Sequence, residues 1–193
     1  MDEMILLRHG ETEWSRTGRH TGRTDVPLTA RGEGQARALA PLLQGREIDL
    51  VLTSPAQRAR RTAELAGLPG AEPDPGLWEW DYGGYEGVTT PQIRETRPGW
   101  YLWRDGVIPG DADHPGETVE QVGERADKVI ARARAAAGTV VLVAHGHFLR
   151  VLTARWLGLD PAGGRHFKLD TGTYGALGFE HAEPVILHWN SPI

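Results

Sequence analysis

Short apolar runs alternate with stretches of helical period along the chain. Met4-Ile5-Leu6-Leu7 is an apolar run that stops at Arg8-His9-Gly10, the pattern of a buried strand entering a turn. Residues 10–28 are rich in Gly, Thr and Arg and predict a loop. From Thr29 the apolar residues Ala36, Leu39, Ala40 and Leu43 recur at helical spacing, and Gly45 closes the predicted helix. Asp49 to Thr53 predicts a second strand, and Ser54-Pro55 opens another helix, since proline is tolerated in a first turn. A Gly/Pro-rich connection follows from Gly67 to Gly76, and residues 77–117, irregular and holding four tryptophans, predict short helices and a lid. Thr118-x-x-Gln121 is a capping box ahead of Val119, Val122, Ala126, Val129, Ile130 and Ala133, an amphipathic helix. Thr139 to Ala144 predicts a third buried strand, ending at His145-Gly146. Phe148 to Leu157 then reads as a buried helix, with two further strands around Tyr174–Phe179 and Val185–Trp189.

This alternation predicts an α/β fold, with a largely parallel central sheet flanked by helices on both faces. With 193 residues and no linker or repeat, one domain over 1–193 is expected, with the lid at about 77–117. Hydrophobic residues at 39% and charged residues at 24% are ordinary globular composition and argue against a disordered chain. No stretch approaches the roughly 18 apolar residues of a membrane span. MDEMILLRHG lacks the basic start of a signal peptide. The absence of cysteine removes disulfides, thiolate nucleophiles and zinc fingers and permits a reducing cytoplasm, the expected location. A net charge of −5 argues against a nucleic-acid partner. The cations are lopsided, 19 arginines to two lysines, so an arginine counts only where its position raises it.

Position does raise some of them. In open α/β sheets ligands bind at the carboxyl ends of the strands. The first strand ends in Arg8-His9-Gly10, the third in His145-Gly146, and the second leads to Arg58 in the first turn of its helix. If these strands are neighbours, two guanidiniums and two imidazoles converge on a site suited to a phosphate dianion. No Gly-Lys-Ser/Thr loop, Gly-x-Ser-x-Gly elbow or His-Glu-x-x-His is present. The remaining nucleophile is an imidazole, which can attack phosphorus and give a phosphohistidine that water opens. Adjacent cations keep such a ring neutral, and the arginines offset phosphoryl charge. Glu79 lies between Trp78 and Trp80, where an apolar setting would hold a proton for the leaving alcohol, although spacing by itself favours a surface glutamate. His145-Gly146-His147 resembles half a metal site, but no carboxylate motif stands beside it, and no metal is expected. Trp78, Trp80, Trp100 and Trp103 read either as substrate-stacking rings or as a small core under the lid. His20, His114 and His166 have no nameable partner, and Asp81 and Glu86 read as solvent or turn residues.

LLRHGETEW at 6–14, TDVPLTARGEGQA at 24–36, TSPAQRARRTAE at 53–64, WEWDYGGYEG at 78–87 and VAHGHFLRVL at 143–152 together resemble the histidine phosphatase superfamily, over essentially the whole chain. The resemblance implies His9 as the phosphorylated nucleophile, with Arg8, Arg58 and His145 on the phosphoryl group. It implies Glu79 as general acid, then base. Ser15 stands where relatives usually carry asparagine. Thr21-Gly22 occupies a loop site able to donate hydroxyl and backbone hydrogen bonds. Tyr82, Gly146 and His147 complete the candidate phosphate or substrate contacts. The mutase branch has a longer insertion and a paired-arginine segment between the acid and the second histidine. This chain has neither, which favours a phosphatase over a phosphoglycerate mutase-type phosphotransferase. TEWS, HTGRTD, WRDG and AHGH are similar to sedoheptulose-bisphosphatase-like members, implying a sugar phosphate or bisphosphate. The expected partner is a small-molecule phosphate ester, with no cofactor and no membrane; a homodimer stays open. A phosphoprotein phosphatase or non-catalytic phosphate binder is the reading from another class.

Overall fold

The computed structural model describes residues 1–192; Ile193, the last residue of the expected domain, lies outside them. In chain order its elements are β1 (Glu3–Arg8), α1 (Glu13–Thr17), α2 (Ala30–Ala38), α3 (Ala40–Leu43), β2 (Leu50–Thr53), α4 (Gln57–Leu65), β3 (Glu72–Pro73), α5 (Thr90–Thr96), α6 (Leu102–Asp105), α7 (Val119–Ala135), β4 (Thr139–Ala144), α8 (Gly146–Trp156), β5 (Tyr174–Glu180) and β6 (Glu183–Ser191). Short 3₁₀ turns stand at Pro75–Leu77 and Pro161–His166.

Within β1, Met4 to Leu7 is apolar without interruption because both faces of its sheet are covered. Met4 and Leu6 pack into one core cluster with Val122, Val129, Phe148 and Leu152 of α7 and α8. Ile5 and Leu7 pack into the other, with Leu39, Leu43, Ala59 and Ala63 from α2 to α4. Strand β4 alternates the same way, Val140 and Leu142 to the first cluster, Val141 and Val143 to the second.

The six strands run in the order β3-β2-β4-β1-β5-β6. The pairings from β3 through to β1 are parallel, and β5 and β6 join antiparallel at one side. Strand β4 pairs with both β1 and β2, so the three strands whose ends carry the candidate residues lie side by side. Arg8 stands opposite Ala144, and Thr53 opposite Val143, so three strand ends open on one edge.

Local differences have local causes. The helix predicted from Thr29 to Leu43 breaks after Ala38, because Pro41 has no N–H and stands in the first turn of α3. Helix α4 begins two residues after Pro55, with its first N–H donated to Asp25 Oδ1 at 2.8 Å. Inside the predicted 10–28 loop lies α1, set by a reciprocal Thr12–Ser15 capping box. The predicted box at Thr118 and Gln121 caps α7.

Candidate active site

The carboxyl edge of β1 and β4 forms the floor of a cavity of about 250 Å³, lined among others by Arg8, His9, Ser15, Thr21, Glu79, Tyr82, Gly146 and His147. His9 extends the β1–β4 ladder by one bond, its N–H donating to Ala144 C=O at 3.0 Å. Its ring Nδ1 lies 2.7 Å from Gly10 C=O. A carbonyl only accepts, so Nδ1 carries the hydrogen and the neutral ring keeps its lone pair on Nε2. Burial first, then the charges of Arg58 and Arg8, hold the imidazole pKa well below its ordinary value. The sequence points to the cations; burial is the larger cause.

Arg8 also lines the cavity. One of its terminal nitrogens donates to Leu169 C=O, while Nε is buried with no acceptor in the protein. Its guanidinium lies across Gly146, where an added Cβ would come within 2.9 Å of Cζ. Glycine is required there for that approach.

Arg58 and His145 stand one layer behind, both with no exposed surface. Arg58 donates Nε to His145 Nδ1 at 3.2 Å and its terminal nitrogens to the carbonyls of Thr21, Gly22 and Thr24. Nδ1 of His145 is thus an acceptor, and Nε2 donates to Ser54 Oγ at 2.7 Å. Burial, then Arg58, keeps this ring neutral too. The rings of His9 and His145 meet edge to face, with centroids 5.1 Å apart.

Glu79 is 5% exposed, so it is not the surface glutamate that spacing favours. Nor is its setting apolar, and this corrects the sequence expectation. Oε1 accepts from the N–H groups of Trp80 (2.9 Å) and Phe148 (2.8 Å), and Oε2 from that of His147 (3.0 Å). The carboxyl supplies the cap of α8 that its N-cap residue, His145, does not.

Three lesser candidates have partners within the protein. The Ser15 hydroxyl is committed to the Thr12 capping box. The Thr21 hydroxyl donates to Arg19 C=O. The N–H of Gly22 donates to both carboxylate oxygens of Glu86, at 2.9 and 3.0 Å, and so is not offered to a ligand. Glu86 is therefore no idle turn residue: with Arg58 it clamps the 21–24 loop from two sides. Tyr82 OH and His147 Nδ1 meet at 2.6 Å. Burial pushes the phenol well above its ordinary value and the imidazole well below, so both are neutral. None of the four tryptophans lines the cavity; Trp80, Trp100 and Trp103 belong to the main core.

Sequence reasoning missed Arg19, His20 and Arg150, which line the same cavity. His20 is held by Nδ1 against Val88 C=O at 2.6 Å and by the edges of Tyr82 and Trp100, contacts from distant segments that no local pattern shows. Arg150 was legible in principle, one turn beyond Gly146 on the same helix. A larger cavity of about 390 Å³ opens between α6 and α7; Arg104 pairs there with Asp105 and Glu117 with Arg125, and Glu120 forms no ion pair among the described residues. Among the described residues no cluster of three or more metal-ligating side chains is found, and no helix is long and apolar enough to cross a membrane.

Residues 4–192 match the family described as the histidine phosphatase superfamily (branch 1). The chain belongs to that superfamily. It is 47% identical over 182 residues to an acid phosphatase of Mycobacterium tuberculosis, covering 92% of this chain and 87% of the relative. It is 37% identical to the sedoheptulose 1,7-bisphosphatase of Saccharomyces cerevisiae over 188 residues, 80% of this chain and 67% of that one. The solved structure of the product of a Mycobacterium tuberculosis open reading frame superposes with a TM-score of 0.90 at 43% identity, covering 99% and 98% of the two chains. The chain is a phosphoric monoester hydrolase of this superfamily.

Proposed function

We propose that this histidine phosphatase hydrolyses a small phosphate monoester through a phosphohistidine on His9. The observation that carries the reading is the state of His9: a neutral ring at the cavity, its hydrogen held on Nδ1 by Gly10 C=O. Nε2 attacks phosphorus and the ester oxygen leaves in line, taking its proton from Glu79. Arg8 binds the phosphoryl oxygens directly, while buried Arg58 and His145 supply positive charge and a polar wall behind them. The negative charge Glu79 acquires falls on an oxygen already facing the N-terminus of α8. In the second half-reaction Glu79 takes a proton from water, which attacks the phosphohistidine and releases phosphate.

The cavity size supports a small ester rather than a phosphorylated protein chain. Kinship with an enzyme named for a sugar bisphosphate supports a phosphorylated sugar. The test is His9→Ala, which should lose at least about 10³ of the turnover. Acid quenching of wild type with labelled substrate should release the label, whereas alkaline quenching should retain it on His9. A fully active His9→Ala protein would overturn the mechanism.

A further inference from the structure

Arg150 stands on α8 one turn beyond Gly146 and three residues beyond His147, so the three share one side of the helix. It lines the same cavity as Arg8 and His9. Its Nε donates to Gly164 C=O at 3.1 Å and a terminal nitrogen to Arg165 C=O at 3.2 Å, and its guanidinium carbon lies 4.7 Å from the Trp103 ring centre. These contacts orient the cation without neutralising it. Among the described residues ten arginines form ion pairs, and Arg8, Arg19 and Arg150 are not among them. Burial lowers the pKa of Arg150, which marks the cost of holding an unmatched charge there. The cavity thus gathers three guanidiniums against a single carboxylate, Glu79.

A phosphoryl dianion beside His9 engages Arg8. The charge of Arg150, one helical turn of about 5.4 Å further along α8, is left over. We propose that Arg150 recognises a second anionic group on the substrate, a carboxylate or a second phosphate, with Arg19 at the rim of the same cavity. This rests on the reading of His9 and Arg8 as the phosphoryl end. A planar fork set against an indole ring suits a bidentate oxyanion better than a hydroxyl.

Two matched pairs of esters test it: glycerol 1-phosphate against 3-phosphoglycerate, and fructose 6-phosphate against fructose 1,6-bisphosphate. Wild type should prefer the more anionic member of at least one pair by about tenfold in kcat/KM, chiefly through KM. Arg150→Met should cut that ratio to near unity, and Arg150→Lys should restore part of it. The pair that responds identifies carboxylate or phosphate. No preference in wild type, or equal losses on both members of each pair in Arg150→Met, would overturn the proposal. Calorimetric binding of the same pairs to His9→Ala reads the preference without turnover, so a failure of the phosphohistidine mechanism is distinguishable from a failure of this one.

Discussion

Glu79 shows how much one carboxyl can be asked to do. It is the proposed proton donor, and it also accepts the N–H groups of His147 and Phe148 at the start of α8. The two roles separate by leaving group. A sugar alkoxide needs a proton, and general acid catalysis is typically worth about 10²–10⁴ in rate; p-nitrophenolate leaves as a stable anion. Glu79→Gln should therefore cripple single-turnover phosphorylation by a sugar phosphate while sparing the burst with p-nitrophenyl phosphate. Equal losses on both esters would assign Glu79 to capping alone. The residue types and order of this site were legible in the sequence, from His9 to His145. Their hydrogen-bond states were not. Nothing local tells that Arg58 spends its donors on Thr21, Gly22, Thr24 and His145, or that Glu86 holds Gly22 from the other side.

At the scale of elements, the site depends on close backbone approach. The N-terminal turn of α8 passes under the Arg8 guanidinium, and only hydrogen at Gly146 leaves room for it. Gly146→Ala should favour the helix itself, alanine being the better helix former. It should nonetheless cost at least about tenfold in kcat/KM by displacing the cation proposed to bind the phosphoryl group, with helical circular dichroism unchanged. Wild-type activity in that variant would show that Arg8 does not need this seat. Elements with long apolar periods, such as β1, β4 and α7, were predicted well, because both faces of the strands and one face of the helix are buried. Short ones escaped. Strand β3 is two exposed residues paired at the sheet edge, and α1 is a single capped turn with no buried residue.

For the molecule as a whole, burial of histidines ties stability to pH. His9, His145 and His147 sit well below the ordinary imidazole value of 6.5, and His20 is lowered too. Below 6.5 the unfolded chain binds protons that the folded one refuses. The stability conferred by these neutral rings is complete above that value and is lost as pH falls beneath it. Each contributes up to about 1.4 kcal/mol per pH unit in that range. The urea midpoint should drop from about pH 7.5 to about pH 5.5, and His147→Gln should flatten the decline by about one proton. An unchanged slope in that variant would mean the imidazole is protonated equally in both states.

The sequence by itself determined the layers and the residue types that stand at the strand ends. Short uninterrupted apolar runs that alternate with amphipathic helices fit a parallel sheet covered on both faces, and strands of such a sheet that end in Arg-His-Gly and His-Gly carry those residues to its carboxyl edge. The tertiary structure alone decided that β4 inserts between β1 and β2. It also decided that Glu79, from a distant loop, caps α8, and that His20 and Arg150 join the cavity. Hydrophobic period reports which side of an element is buried. Which distant polar groups meet there depends on how the buried sides stack, and no local pattern encodes that.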